Sequence, residues 1–277
     1  MVQRRQFCPL PSTYAAMRID PVAMVQRLRD PYALAAAEKM QPQTYLVFIS
    51  EASGLPGLYG TAYFYYTVDI LGTVPPPREE VECFEPDMCI PIFPNDTHPT
   101  GRKPIHTRPS PFAFRDCFHW PSTKMMIRVR PREGGWNVDD GYVLPGASLM
   151  RMGAYWEEDA ARAKAGRQAR SGGEAVLEVE DAFETESSAM NHGVEEGSDS
   201  SSSMADLPSS SHEPTQSASQ KSLPLNDPLG DMFSPQLADD PELLPIVDLW
   251  YDLENHLKQE DIPYPNDIFK ERDEIIK

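Results

Sequence analysis

Four side chains of the types that bind zinc, Cys83, Cys89, Cys117 and His119, stand in the pattern C-x5-C, 27 residues, C-x-H. Thiolates and imidazole are the usual zinc ligands, but structural sites are built on knuckles with two to four residues between paired cysteines. The four residues are thus metal candidates in kind and not in register, and buried free thiols are the plainer expectation. No cofactor is expected. Gly54, Gly57 and Gly60 follow a strand-like run, yet G-x-x-G-x-x-G fits neither the dinucleotide nor the Walker phosphate loop. They read as a turn. Asp139-Asp140-Gly141 offers paired carboxylates, but Asp-Gly between apolar residues is a common turn signal. No G-x-S-x-G or H-E-x-x-H arrangement is present.

Two further groups bear on binding. In KMMIRVR, Met125, Ile127 and Val129 alternate with a basic set, Lys124, Arg128 and Arg130, which Arg132 extends. Alternation of this kind predicts a half-buried strand with a basic outer face. Aromatic interleaving is missing from that face, so nucleic acid is not the expected partner. Near the C-terminus, Ile246, Leu249, Trp250, Leu253 and Leu257 recur at helical spacing in PELLPIVDLWYDLENHLKQ. A helix over 245–258 is marginal alone in water. It therefore needs a surface, and intramolecular docking is favoured over an outside protein partner because the tether keeps its effective concentration high.

The elements that must position these residues read as follows. Asp20-Pro21 and Asp30-Pro31 each place a capping carboxylate before a proline at the first helical position. TYLVFIS from Thr44 and TAYFYYTVDI from Thr61 are strand-like. Residues 75–111 form a long connection with one short strand near Cys89–Phe93, a length that in a compact domain means either a functional loop or regular structure that the pattern does not reveal. Ser148 opens a helix that Gly172-Gly173 ends, and EAVLEVEDAFE reads as a last strand.

Composition then changes. Residues 1–170 hold 20 Lys and Arg against 18 Asp and Glu, whereas residues 171–277 hold 5 against 25. Residues 185–240 contain 14 serines and little that could form a core, the composition of a disordered segment. Ser203 and Ser234 stand in acid-directed and proline-directed kinase contexts. The negative balance opposes coating of nucleic acid or of an anionic membrane. No apolar run is long enough to span a bilayer. Four scattered cysteines and the absence of a secretory h-region favour a cytoplasmic or nuclear location.

The expected fold class is α+β, a mostly antiparallel sheet with flanking helices. The expected order is a flexible N-terminus at 1–14, a globular domain at 15–182, an acidic serine-rich linker at 183–240 and a helical segment at 241–277. The expected function is that of a non-enzymatic interaction or regulatory protein. The alternatives are a transcriptional regulator that uses the acidic, apolar tail for activation, or a metal-dependent enzyme built on the Cys/His group.

Overall fold

The apolar run that begins at Thr44 forms the third of eight strands in a computed structural model that describes residues 4–54, 63–183 and 244–277. The Gly57/Gly60 turn, the acidic segment at 184–243 and the serines Ser203 and Ser234 lie outside the described residues. In chain order the elements are β1 (Arg5–Gln6), β2 (Thr13–Ile19), α1 (Pro21–Val25), α2 (Pro31–Ala37), β3 (Thr44–Gly54) and β4 (Phe64–Gly72). Then come β5 (Ile90–Pro91), β6 (Phe118–Val129), β7 (Trp136–Asn137), α3 (Gly146–Phe183), β8 (Ile246–Trp250), α4 (Leu253–His256) and α5 (Asp267–Ile276). Both aspartate caps form, with Asp20 accepting from the Ala23 amide and Asp30 from the Tyr32 amide.

The fold is α+β. Hydrogen-bonded neighbours run β4–β3–β2–β8–β6, and β4 also pairs with β6, so five strands close on themselves as a barrel. Every pairing is antiparallel except that of β8 with β6. Closure removes the open edges that an antiparallel sheet otherwise exposes. Side chains alternate between the two faces as strand geometry requires. Met17, Val47, Val68, Ile127 and Leu249 share the inner core, while Tyr14, Ala16, Leu46, Phe48 and Leu71 share an outer one. The outer core is completed by Ile92 and Ile105 of the long connection, Met152 of α3, and Leu253 and Leu257. With both faces largely buried, β3 opens as a continuous apolar run from Tyr45 to Ile49.

Three expectations need correction. Residues 246–250 are strand, where a helix over 245–258 was expected. Val247 and Tyr251, which the helical stripe leaves out, are 1% and 3% exposed. Where two faces are covered, apolar spacing cannot separate a strand followed by a helical turn from one continuous helix. The helix at the extreme C-terminus does form, as α5, and Ile268 is fully buried while Ile276 is exposed. Second, α3 continues through Gly172-Gly173 to Phe183, so EAVLEVEDAF is helix and not a last strand. A glycine costs a helix interior about 1 kcal/mol, a penalty that is not by itself a stop. Third, residues 4–14 are tied down. Arg5 and Gln6 pair with Asn137 and Trp136, the Leu10 amide donates to the Tyr251 hydroxyl at 2.6 Å, and Tyr66 donates to the Pro9 carbonyl at 2.7 Å.

The barrel belongs to one compact unit, Met1–Gln168 with Leu229–Lys277, and Ala169–Pro228 form a second unit. The position of β8 in the ring sets an expected outcome. Leu249→Ala should cost about 2–5 kcal/mol by emptying part of the inner core. Val247→Ala should cost about 1.5 kcal/mol, by the loss of two buried methyl groups. Denaturant titration measures both. A neutral Val247→Ala together with a costly Trp250→Ala would instead fit the helical reading.

Candidate functional site

The zinc-type residues do not meet. Cys89 lies with Phe118 and Trp120, its thiol donating to the Pro86 carbonyl at 3.3 Å, while Cys117 belongs to the outer core. Burial pushes the Cys89 thiol up to about 12 and raises the Cys117 thiol as well. A Cβ added at Gly166 of α3 would lie 3.2 Å from the sulfur of Cys83. Among the described residues, no group of three His, Cys, Asp or Glu side chains converges on a cation position.

The basic strand is half as expected. Met125, Ile127 and Val129 do face the inner core. Their basic neighbours, however, are engaged on the outside. The Lys124 ammonium sits 5.1 Å from the ring centroid of Trp156, Arg128 is 5% exposed and donates through Nε to the Leu244 carbonyl at 2.8 Å, and Arg130 pairs with Asp20 and Asp248. Arg132, beyond the strand, is exposed. The four do not make one solvated basic face. The C-terminal partner set is placed likewise: Ile246 and Leu249 lie in the inner core, Leu253 and Leu257 in the outer one, and Trp250 stacks on His256 at 4.4 Å.

The long connection is held by a buried ion pair. Arg102 donates to both carboxylate oxygens of Asp159 on α3 at 2.8 and 2.7 Å, with the two side chains 7% and 2% exposed. The guanidinium also lies 4.5 Å from the ring centroid of Tyr155. Its planar fork matches the carboxylate, which a lysine could not reproduce. Removal of Arg102 leaves the buried Asp159 carboxylate with only the more distant Arg162, at 3.8 Å, so Arg102→Ala should lower stability by about 3–5 kcal/mol, measured by denaturant titration. A change below about 1 kcal/mol would show that the pair is solvated.

Sequence reading missed a buried polar row on the outer face. The registers Tyr14↔Phe48, Phe48↔Asp69 and Asp69↔Lys124 set these residues side by side across β2, β3, β4 and β6. His119 joins them because β6 bulges. Asp69 pairs with Lys124 but Leu71 pairs with His119, so the four residues Trp120–Thr123 stand opposite Ile70 alone and β6 carries three extra residues. In a regular strand, residues 119 and 124 would face opposite ways. The Thr123 hydroxyl mends the gap by donating to the Ile70 carbonyl at 2.7 Å. Gly72 is required opposite the bulge, because a Cβ there would lie 2.7 Å from Trp120 Nε1.

Within the row, the Tyr14 hydroxyl and His119 Nε2 share a hydrogen bond of 2.9 Å, and His119 Nδ1 has no partner among the described residues. Neither oxygen of Asp69, 1% exposed, has a hydrogen bond among them either, since the nearby Ser50 hydroxyl donates to the Thr67 carbonyl. Burial pushes the Asp69 carboxyl up to about 6, against the pull of Lys124. It pushes the His119 imidazole down to about 3. Two open clefts lined by described residues lie away from this row. One groove of about 630 Å³ is lined by Gln43, Thr44, Glu254, His256, Lys258 and Glu260 among others, and a smaller one of about 240 Å³ includes Arg132, Trp136 and Asp252. Compared with protein-family models, curated proteins and solved structures, the chain matches none.

The two buried groups give opposite pH dependences. Asp69 binds its proton more tightly folded than unfolded, so it costs nothing below about pH 4 and its full penalty appears above about pH 6. His119 is held neutral, so stability is lost as the pH falls from about 6.5 towards 3. At pH 7, Asp69→Asn should therefore raise stability by up to about 3 kcal/mol, the equivalent of two pKa units, with the gain gone by about pH 4. Urea titrations across that range test it. A loss of stability at pH 7 would mean that Asp69 is ionised and paired.

Proposed function

We propose that this chain is a non-enzymatic interaction protein whose barrel presents the acidic, serine-rich residues 184–243 to a basic protein partner. The observation that supports this reading is where the segment falls. The chain leaves the barrel's unit after Gln168 and returns to it from Leu229, so the acidic stretch is an insertion between α3 and β8 and not a tail. Residues 184–243 contain 12 Asp and Glu, one Lys and 14 Ser. A surface of that sign attracts cationic partners over about a Debye length and excludes polyanions. Four of the five C-terminal residues with partner-type spacing are occupied in the cores, so the reading rests on the acidic insertion and not on a free amphipathic helix. An activation segment that uses those same apolar side chains would have to withdraw them from the barrel.

The test keeps chain length constant. All 12 acids of 184–243 are replaced by Asn and Gln, and proteins crosslinked to wild type and variant in the native cell are compared. Basic partners should be recovered with wild type, lost with the variant, and weakened at high salt. An unchanged partner set with an unchanged melting temperature would overturn the reading.

A further inference from the structure

We propose that Lys124 is a counter-ion with two positions, lying against Trp156 of α3 while Asp69 holds its proton and turning to the carboxylate when that proton leaves. Asp69 of β4 and Lys124 of β6 are paired in register on the outer face. Side chains directly opposite each other in an antiparallel pair have Cβ atoms about 4.5–5.5 Å apart, so a lysine has ample length to reach the carboxyl beside it. The ammonium is elsewhere. It sits 5.1 Å from the ring centroid of Trp156, while neither oxygen of Asp69 has a hydrogen bond although the residue is 1% exposed. An ionised carboxylate in so dry a place would draw the cation to itself, because a buried charge is costly unless it is paired and hydrogen-bonded. A protonated one exerts no such pull, and the ammonium is then better placed on an aromatic face. The arrangement is the one that a neutral Asp69 selects.

The groups around the carboxyl leave Lys124 as the part that answers. From β2 comes Tyr14, whose hydroxyl is shared with His119 Nε2 of β6, and from β3 comes the Ser50 hydroxyl, which donates to the Thr67 carbonyl. Cys117 lies just before β6 in the same core, and α3 brings Trp156. Arg102 of the long connection and Asp159 of α3 are paired with each other. Burial raises the Tyr14 hydroxyl and the Cys117 thiol and holds the His119 imidazole neutral, so none of these three changes charge near neutral pH. Lys124 is the cation that weakens the hold of Asp69 on its proton. Once that proton has gone, a charge-assisted hydrogen bond to the carboxylate outweighs the contact with the ring. The contact given up joins β6 to α3, and Trp156 also lies edge-on to His119 at 6.4 Å. Proton binding in the buried row is thereby passed to the helix that covers it, whether or not the partner reading above holds.

The test is NMR on the full chain, following the indole N–H resonance of Trp156 and the carboxyl carbon of Asp69 from about pH 4.5 to about pH 8. Both should move in one shared step centred near pH 6. His119, pushed down to about 3, stays neutral across that range and cannot produce the step. In Asp69→Asn the Trp156 resonance should lose its step. In Lys124→Met the Asp69 step should move to higher pH, since the cation that opposes the proton is gone, and Trp156 should no longer follow it. A Trp156 resonance that stays still while Asp69 titrates in wild type would overturn the proposal without recourse to any variant. So would a Trp156 step that survives Asp69→Asn, an Asp69 step that Lys124→Met leaves in place, or an Asp69 that does not titrate in this range.

Discussion

Strand β2 offers one edge through Ala16–Ile19, and β6 offers another at Arg128 and Val129. β8 satisfies both, antiparallel to the first and parallel to the second. Without it the remaining strands would be an open, curled sheet with two bare edges and an inner core open to water. Buried backbone amides and carbonyls that lose their partners cost as much as lost hydrogen bonds, and Val247 and Leu249 would vacate the centre of the core. The side chains reinforce the same seam. Arg130 of the chain just beyond β6 reaches Asp248 of β8 and Asp20 beside β2, so one guanidinium ties three elements, and Arg128 caps the Leu244 carbonyl where β8 begins.

Closure also decides what the outer face must be. A barrel this small is filled by its own inward side chains, so its outward row needs a separate cover. The long 75–111 connection and α3 provide it, locked to each other through Arg102 and Asp159. The cover dries Tyr14, Asp69 and His119 along with the apolar groups around them. In that setting the carboxyl holds its proton up to about pH 6 and the imidazole stays neutral, because each avoids a charge that nothing nearby fully compensates. The long loop thus has an assignment in structure: it is a wall of the second core.

The alternation of Met125, Ile127 and Val129 was legible in the sequence because β6 beyond its bulge is regular. The caps at Asp20 and Asp30 were legible because a carboxylate before proline is a local signal that needs no tertiary context. β8 and β2 were not, since most of each is buried on both faces and each shows only one charged residue, Arg18 and Asp248, too little to set a period of two. In β2, TYAAMRI mixes alanine and methionine, good helix formers, with residues that only the barrel makes strand. The Asp69–His119 neighbourhood was out of reach for a different reason. It depends on the odd register shift at Trp120–Thr123, a long-range property of the β4–β6 ladder that no window of sequence contains.

The insertion point before β8 follows from the same constraint. The entropic cost of closing a loop rises only with the logarithm of its length, about 0.6 kcal/mol for each doubling, so a long stretch between α3 and β8 burdens the barrel little more than a short one. Its charge burdens the barrel little as well, since repulsion between exposed acids is screened beyond about 8 Å at physiological salt. What cannot be spared is the order of events along the chain: β8 must return to a fixed slot between β2 and β6, in one register, with Val247 and Leu249 inward. The apolar density of Leu244–Leu257, abrupt after the serine-rich stretch, is what defines that slot. It marks the point at which composition stops being free and the barrel begins again to dictate every residue.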